Sequence, residues 1–306
     1  MKAREKEKKV KKILVIGIDL GGTKIKGVLV DEKGRVVKAY EHPTQAHLPR
    51  SHIIKNILEV INILKTDEVK AIGLATPGFA IPSGSMACMP NIKRLEGFNL
   101  KKELVKKTKL KVWLENDANC FALAEHMQGA AIDCKDSIGV IIGTGIGTGI
   151  IIDNMIYRGA IGGAGEAGHT KLVVNIHEAG HIKGVKEIED LISGPNIIKR
   201  YEELSGKKAY SPVIILNKKD EFSRKAYAET VFFTGIFFAN LINIFNPEMI
   251  VVGGGVSNLP YYKDVQKVVN KYAHPNLARA CNIKKSKLGE LSGAIGAAEL
   301  ALSMIS

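Results

Sequence analysis

The chain has 306 residues, 45% of them hydrophobic, more than one ordinary compact core holds, so two domains are expected. Its four cysteines, Cys88, Cys120, Cys134 and Cys281, are scattered without C-x-x-C spacing, which argues against a disulfide framework or a cysteine zinc site. No apolar run approaches the ~20 residues of a membrane span, and no apolar stretch follows the Lys-rich start, so a cytoplasmic protein without a membrane partner is expected. The formal charge of +13 is spread over expected helix faces and loops without interleaved aromatics, so no specific nucleic-acid partner is expected either.

Residues 13–19, 26–30 and 35–40 read as three strands of a meander, turning at Gly21-Gly22 and at 32–34. Residues 52–65, apolar at Ile53, Ile54, Ile57, Leu58, Ile61 and Leu64, have helical spacing, and 69–75 read as a buried strand. A loop rich in Pro, Gly and Ser spans 77–97. A short helix near 100–107, a strand at 112–115 and a helix from about Asn119 follow. Residues 138–152 are two apolar runs joined by a tight Gly143-Thr144-Gly145 turn. A run of Gly162, Gly163, Gly165 and Gly168 comes next, interrupted by Glu166 and closed by His169. Helices are expected near 195–204, 222–245 and 263–272 and after Gly293, with a strand at 249–252 and the triplet Gly253-Gly254-Gly255 after it.

Shifting the first half by 122 positions sets Gly17 on Gly139, Gly21 on Gly143, Gly27 on Gly149 and Asp31 on Asp153. Four matches at one offset indicate an internal duplication of a strand, glycine turn, strand unit. Two α/β halves with a cleft between them follow, and ligands of such folds sit beyond the strand ends.

The repeat is asymmetric where chemistry is expected. Asp19 falls on Ile141, so the fold alone does not require an acid there. With Gly21, Gly22, Thr23 and Lys24, it offers a carboxylate for hydrated Mg²⁺ and N–H groups for phosphate oxygens; the alternative is an Asp that only stabilises the turn. Asp117, in Asn116-Asp117-Ala118-Asn119, is either an N-cap or a general base whose charge the helix dipole favours, and both can hold at once. The motif H-E-x-x-H at 177–181 would suit a zinc protease on an amphipathic helix. Here it contains Gly180 and lies beside β-like sequence, so a surface loop is expected.

Five segments in order, I-G-I-D-L-G-G-T-K, E-N-D-A-N, I-I-G-T-G-I-G-T-G, G-G-A-G-E-A-G-H and I-V-V-G-G-G-V-S, resemble the motifs of the ROK (repressor, open reading frame, kinase) sugar kinases. The resemblance spans nearly the whole chain. It implies a duplicated actin-like (ribonuclease H-like) ATPase fold, an α/β fold with residues 1–117 plus 293–306 in a smaller domain and 118–292 in a larger one. It further implies ATP with Mg²⁺ held through water by Asp19, phosphate contacts at residues 21–24 and at Gly143, Thr144 and Gly145, and adenosine near Gly253, Gly254 and Gly255. Asp117 would be the catalytic base. Asn91, Asn116, Glu166, His169 and Glu189 would hold sugar hydroxyls, the last three as acceptors. The implied activity is phosphorylation of a hexose by a homodimer, glucose first, with fructose, mannose, N-acetylglucosamine and N-acetylmannosamine as alternatives. Some members of the family are sugar-responsive regulators, which need a helix-turn-helix ahead of the first strand. Only twelve residues precede Ile13, too few for one.

One departure stands out. The family's histidine and three cysteines of a C-x-C-G-x-x-G-C-x-E stretch bind zinc, and this chain reads H-I-K-G-V-K-E-I-E from His181 to Glu189. No zinc site is expected. The loop after His169 should then be held by packing of Leu172, Val173, Val174 and Ile176.

Overall fold

The computed structural model describes residues 13–80, 85–87, 89, 91–176, 182–217 and 220–305; the motif at 177–181 and Cys88 lie outside them. The chain divides into two compact units, Met1–Asn116 with Ala297–Ser306, and Asp117–Gly296.

The first unit runs β1 (Leu14–Leu20), β2 (Lys24–Asp31), β3 (Val36–Pro43), α1 (Arg50–Leu64), β4 (Val69–Thr76), the short β5 (Phe79–Ala80) and β6 (Met86–Ala87), α2 (Leu100–Thr108) and β7 (Lys111–Asn116). Its main sheet has the order β3-β2-β1-β4-β7. Strand β1 pairs antiparallel with β2 and parallel with β4, and β4 pairs parallel with β7. Strands β1 and β4 are buried nearly end to end, as their unbroken apolar runs require of strands covered on both faces. The outer strand β3 is largely exposed and carries Lys38 and Glu41, charges that blunt a free sheet edge. Ile53, Ile57, Val60, Ile61 and Leu64 line the buried face of α1. That helix lies close on β2 because Gly27 has no side chain: a β-carbon there would stand 2.5 Å from Val60.

The second unit begins with α3 (Asp117–Met127), β8 (Ser137–Ile142), β9 (Ile146–Ile152) and β10 (Met155–Ile156). A hairpin, β11 (Lys171–Ile176) and β12 (Ile182–Glu187), leads into α4 (Ile188–Ile192), α5 (Gly194–Ser205), α6 (Pro212–Asn217) and the long α7 (Glu221–Phe245). Then come β13 (Met249–Gly253), α8 (Tyr262–Tyr272), α9 (Pro275–Ala280), β14 (Asn282–Lys285) and α10 (Ser292–Ser303), of which the residues from Ala297 on belong to the first unit. The sheet order, β10-β9-β8-β13-β14, repeats the first sheet with the same pattern of parallel and antiparallel pairs. The duplication therefore extends to all five strands of each sheet.

Register corrects part of the glycine match. In the first unit Ile18 faces Gly27 and Gly17 faces Val28; in the second, Gly139 faces Gly149. The turn between paired residues Leu20 and Ile25 contains 21–24, whereas that between Ile142 and Ile146 contains only 143–145. One residue fewer slips the returning strand by one and turns its side chains to the other face. Gly149 accordingly meets α3, where a β-carbon would stand 2.2 Å from the Ala118 carbonyl, while Gly27 meets α1. Gly17 with Gly139 and Gly21 with Gly143 remain equivalent; Gly27 with Gly149 and Asp31 with Asp153 match in sequence only.

Two other expectations change. Helix α3 starts at Asp117, making it the first helical residue rather than a cap ahead of a helix from about Asn119. Among the described residues α7 is long and apolar enough to cross a membrane, contrary to the expectation that no run is. Arg224, Lys225 and Glu229 near its start hide that length in the sequence. Its Val231, Phe237, Phe238, Leu241 and Ile242 are buried in the core of the second unit, which is why a helix so apolar is needed there.

Candidate active site

In the first unit the turn from β1 to β2 carries Gly21, Gly22, Thr23 and Lys24. The Gly21 N–H donates to the Lys24 carbonyl at 3.0 Å. The turn is also pinned by buried Thr44, whose hydroxyl donates to the Gly21 carbonyl at 2.6 Å and whose N–H donates to the Thr23 carbonyl at 2.8 Å. Thr44 was not foreseen; a lone threonine after an edge strand carries no sequence signal. The Lys24 ammonium lies 2.8 Å from Glu41 on β3, so its side chain points to that carboxylate. Asp19 faces Lys26 across the strand pair. Burial pushes the Asp19 carboxyl up to about 6, with the Lys26 charge pulling it partway back. Asn91 packs against this turn, since a β-carbon at Gly22 would stand 3.0 Å from its Cβ. At the end of β7, the Asn116 amide donates to the Gly78 carbonyl at 3.0 Å, and its backbone N–H donates to Glu115 Oε1 at 2.9 Å.

In the second unit Asp117 opens α3, and its Oδ1 accepts the Ala118 N–H at 2.8 Å. The glycine turn between β8 and β9 is braced from two sides. Gly194 N–H, at the start of α5, donates to the Gly143 carbonyl at 2.8 Å, and Ile146 N–H donates to Glu189 Oε2 at 2.8 Å. A β-carbon at Gly145 would stand 2.6 Å from that same carboxylate oxygen, while one at Gly143 would meet nothing within 4 Å. Beside this turn lies a cavity of about 560 Å³, within the size range of small-molecule sites. Pro195, Ile198, Pro212 and Val256 give it apolar walls, and Thr144 and Asn258 give it polar groups. The three glycines after β13 divide their work: a β-carbon at Gly253 would strike the Phe121 ring at 2.6 Å and one at Gly254 the Ile142 carbonyl at 2.4 Å, whereas Gly255 is open and lines the cavity. The walls from α5 and from Pro212 were not foreseen, because proline at a helix start reads equally well as a simple helix signal.

The glycine-rich loop ahead of β11 folds onto β9. Gly165, at φ +94°, would bring a β-carbon within 2.0 Å of the Thr148 carbonyl. This places Glu166 and His169 on an exposed ledge, with His169 Nε2 3.7 Å from Glu166 Oε2 and His169 Nδ1 2.8 Å from Glu187 Oε2. Glu187 also bonds Lys171 Nζ. The Glu187 hydrogen bond raises the His169 imidazole above its ordinary range, and Lys171, then His169, hold the Glu187 carboxyl below its own. Two of the three expected acceptors have one atom engaged within the protein: His169 Nδ1 by Glu187, and Glu189 Oε2 by the Ile146 N–H. The expected packing of the loop changes too. Leu172 packs on the core, but Val173 is 48% exposed and sits opposite exposed Val185.

The first unit thus gathers Asp19, residues 21–24, Asn91 and Asn116, and the second gathers Asp117, both glycine segments of the cavity, the loop with Glu166 and His169, and Glu189 on α4. The chain matches the model of the ROK family over residues 15–304 and belongs to that family. A glucokinase of Halalkalibacterium halodurans is 31% identical, the alignment covering 92% of each chain. An N-acetyl-D-glucosamine kinase of Pasteurella multocida is 29% identical over 94% of this chain and 99% of its own. The crystal structure of a ROK family glucokinase from Streptomyces griseus in complex with glucose and AMPPNP superposes with a TM-score of 0.77 at 26% identity, covering 95% of this chain and 99% of that one. The fold is the duplicated actin-like ATPase fold of these kinases.

Proposed function

We propose that the protein is an ATP-dependent hexose kinase of the cytoplasm, a homodimer whose substrate is glucose and whose product is glucose 6-phosphate. The observation that carries this reading is the cavity walled by both the Gly143-Thr144 turn and Gly255-Val256. Apolar walls suit a purine, and a glycine turn at one side presents N–H groups to phosphate oxygens. Asp117 takes the proton from the primary hydroxyl as that oxygen attacks the γ-phosphate in line, and N–H groups of the two glycine turns stabilise the developing charge. Asn91, Asn116, Glu166, His169 and Glu189 orient the sugar. Asp19 suits Mg²⁺ held through water: its carboxyl is buried beside the glycine turn, where burial raises it to about 6 against the pull of Lys26, so a further cation there would strengthen its charged form. When bound, Mg²⁺ neutralises phosphate charge. Asp19→Ala is expected to raise the Mg²⁺ concentration for half-maximal rate by about tenfold, the loss of one charge-assisted hydrogen bond. An unchanged Mg²⁺ titration would remove Asp19 from that role.

Substrate choice is tested by coupled ADP release. A site built to hydrogen-bond hydroxyls rejects a ligand that leaves those groups unpaired. Glucose is expected to react, mannose to be tolerated, and 1,5-anhydroglucitol, which lacks the anomeric hydroxyl, to have a kcat/KM lower by roughly 10²–10³. His169→Ala should shrink that gap. Faster turnover of N-acetylglucosamine than of glucose would transfer the assignment to the other class of relatives, and the absence of ADP release with every hexose would favour a sugar-responsive regulator.

A further inference from the structure

At the base of the β11–β12 hairpin Lys171 and Glu187 are direct cross-strand partners, and His169 lies two residues before Lys171. One carboxylate serves both: Glu187 Oε2 meets His169 Nδ1 at 2.8 Å while Oε1 accepts from Lys171 Nζ. Counted back from Glu189, Glu187 stands where the family's C-x-E run has its last zinc cysteine. The residues present do not fit that metal. A thiolate is replaced by a carboxylate that already engages the imidazole nitrogen, and the Lys171 ammonium sets a fixed positive charge against it.

We infer that Lys171, Glu187 and His169 form a metal-free latch in which Glu187 is a positioning residue, fixing the His169 imidazole for sugar recognition. The inference rests on the reading of His169 as a sugar contact. The bond to Glu187 puts a proton on Nδ1 and sets the plane of the ring, as an outer carboxylate does for a metal-bound histidine. Nε2, at 3.7 Å from Glu166, is too far for a hydrogen bond to it and is left for a hydroxyl. His169 and Lys171 side chains are 61% and 54% exposed, and ion pairs so exposed add little to stability. The latch therefore acts on orientation, and its loss should be read in KM rather than in melting temperature.

The test is a double-mutant cycle on the full chain, with glucose KM, kcat, Tm and zinc content measured for wild type, His169→Ala, Glu187→Ala, the double variant and Glu187→Gln. Each of the two alanine variants should raise KM about tenfold, one lost charge-assisted bond, and the double variant no further than His169→Ala alone. Glu187→Gln keeps an acceptor for the Nδ1 proton and should recover most of the affinity. Tm should be unmoved throughout, and wild-type activity in Mg²⁺ should withstand 1,10-phenanthroline. If His169→Ala raises KM but Glu187→Ala does not, or if the two effects add, the latch is wrong while the sugar reading stands. An unchanged KM in His169→Ala would overturn both. One zinc per purified chain would overturn the metal-free arrangement.

Discussion

Asp117→Asn is expected to lower kcat by ~10²–10⁴ and leave sugar KM within a few-fold, the signature of a lost general base. The substitution is close to isosteric. The amide oxygen can still accept the Ala118 N–H that Asp117 Oδ1 accepts at 2.8 Å, so the first turn of α3 keeps its local bond. What disappears is the ability to take a proton. Position supports the assignment, because a carboxylate in the first turn of a helix is favoured in its charged form by the helix dipole, and a base must be charged to act. The alternative, a residue that only serves the helix terminus, predicts a different pattern: a modest fall in stability with little change in kcat. Steady-state kinetics with saturating ATP and variable glucose, alongside thermal melting, separates the two. A kcat within a few-fold of wild type would move the base elsewhere.

Glycine made much of this molecule legible in advance. The two phosphate-type turns, the loop before β11 and the triplet after β13 were visible because glycine clusters between apolar runs have few other uses. The layout of strands and long helices followed from periodicity, to within a residue or two at most ends. What glycine identity could not give was register. Gly27 and Gly149 match at one offset, yet they face different helices because one turn is a residue shorter. Nor could it tell an open glycine from a packing one, since Gly253, Gly254 and Gly255 look alike in sequence and only the last faces the cavity. The elements that were not foreseen, β5, β6, β10, β12, α4, α6, α9 and β14, span between two and six residues each, too short for a period to register. Glu187 was overlooked for another reason: its partners, His169 and Lys171, are 18 and 16 positions away, and only the pairing of β11 with β12 brings them together.

A second large effect is expected from a residue that lies outside every motif. Glu125→Ala should destabilise the second unit by roughly 3–5 kcal/mol, the usual consequence of breaking a buried polar network. Glu125 is fully buried near the end of α3. Its two oxygens accept the Ser286 hydroxyl at 2.6 Å and the backbone N–H groups of Ala130, Leu288 and Lys287 at 2.9, 3.0 and 3.1 Å. The carboxyl therefore ties the helix to the segment joining β14 to α10, across more than 160 positions of sequence. Alanine would leave three backbone donors without this acceptor, and each unmatched buried N–H costs about 1–3 kcal/mol before water or neighbours make up part of the loss. Glu125→Gln should fall between, because its amide keeps one acceptor oxygen but turns an NH₂ group toward donors. At about 2–4 °C per kcal/mol for a unit of this size, the alanine variant should melt about 6–20 °C below wild type. Since α3 begins with Asp117, loosening its far end should also lower kcat, and more than it raises glucose KM. If Glu125→Ala melts within 2 °C of wild type, the bonds around this carboxyl do not hold the helix and its burial needs another explanation.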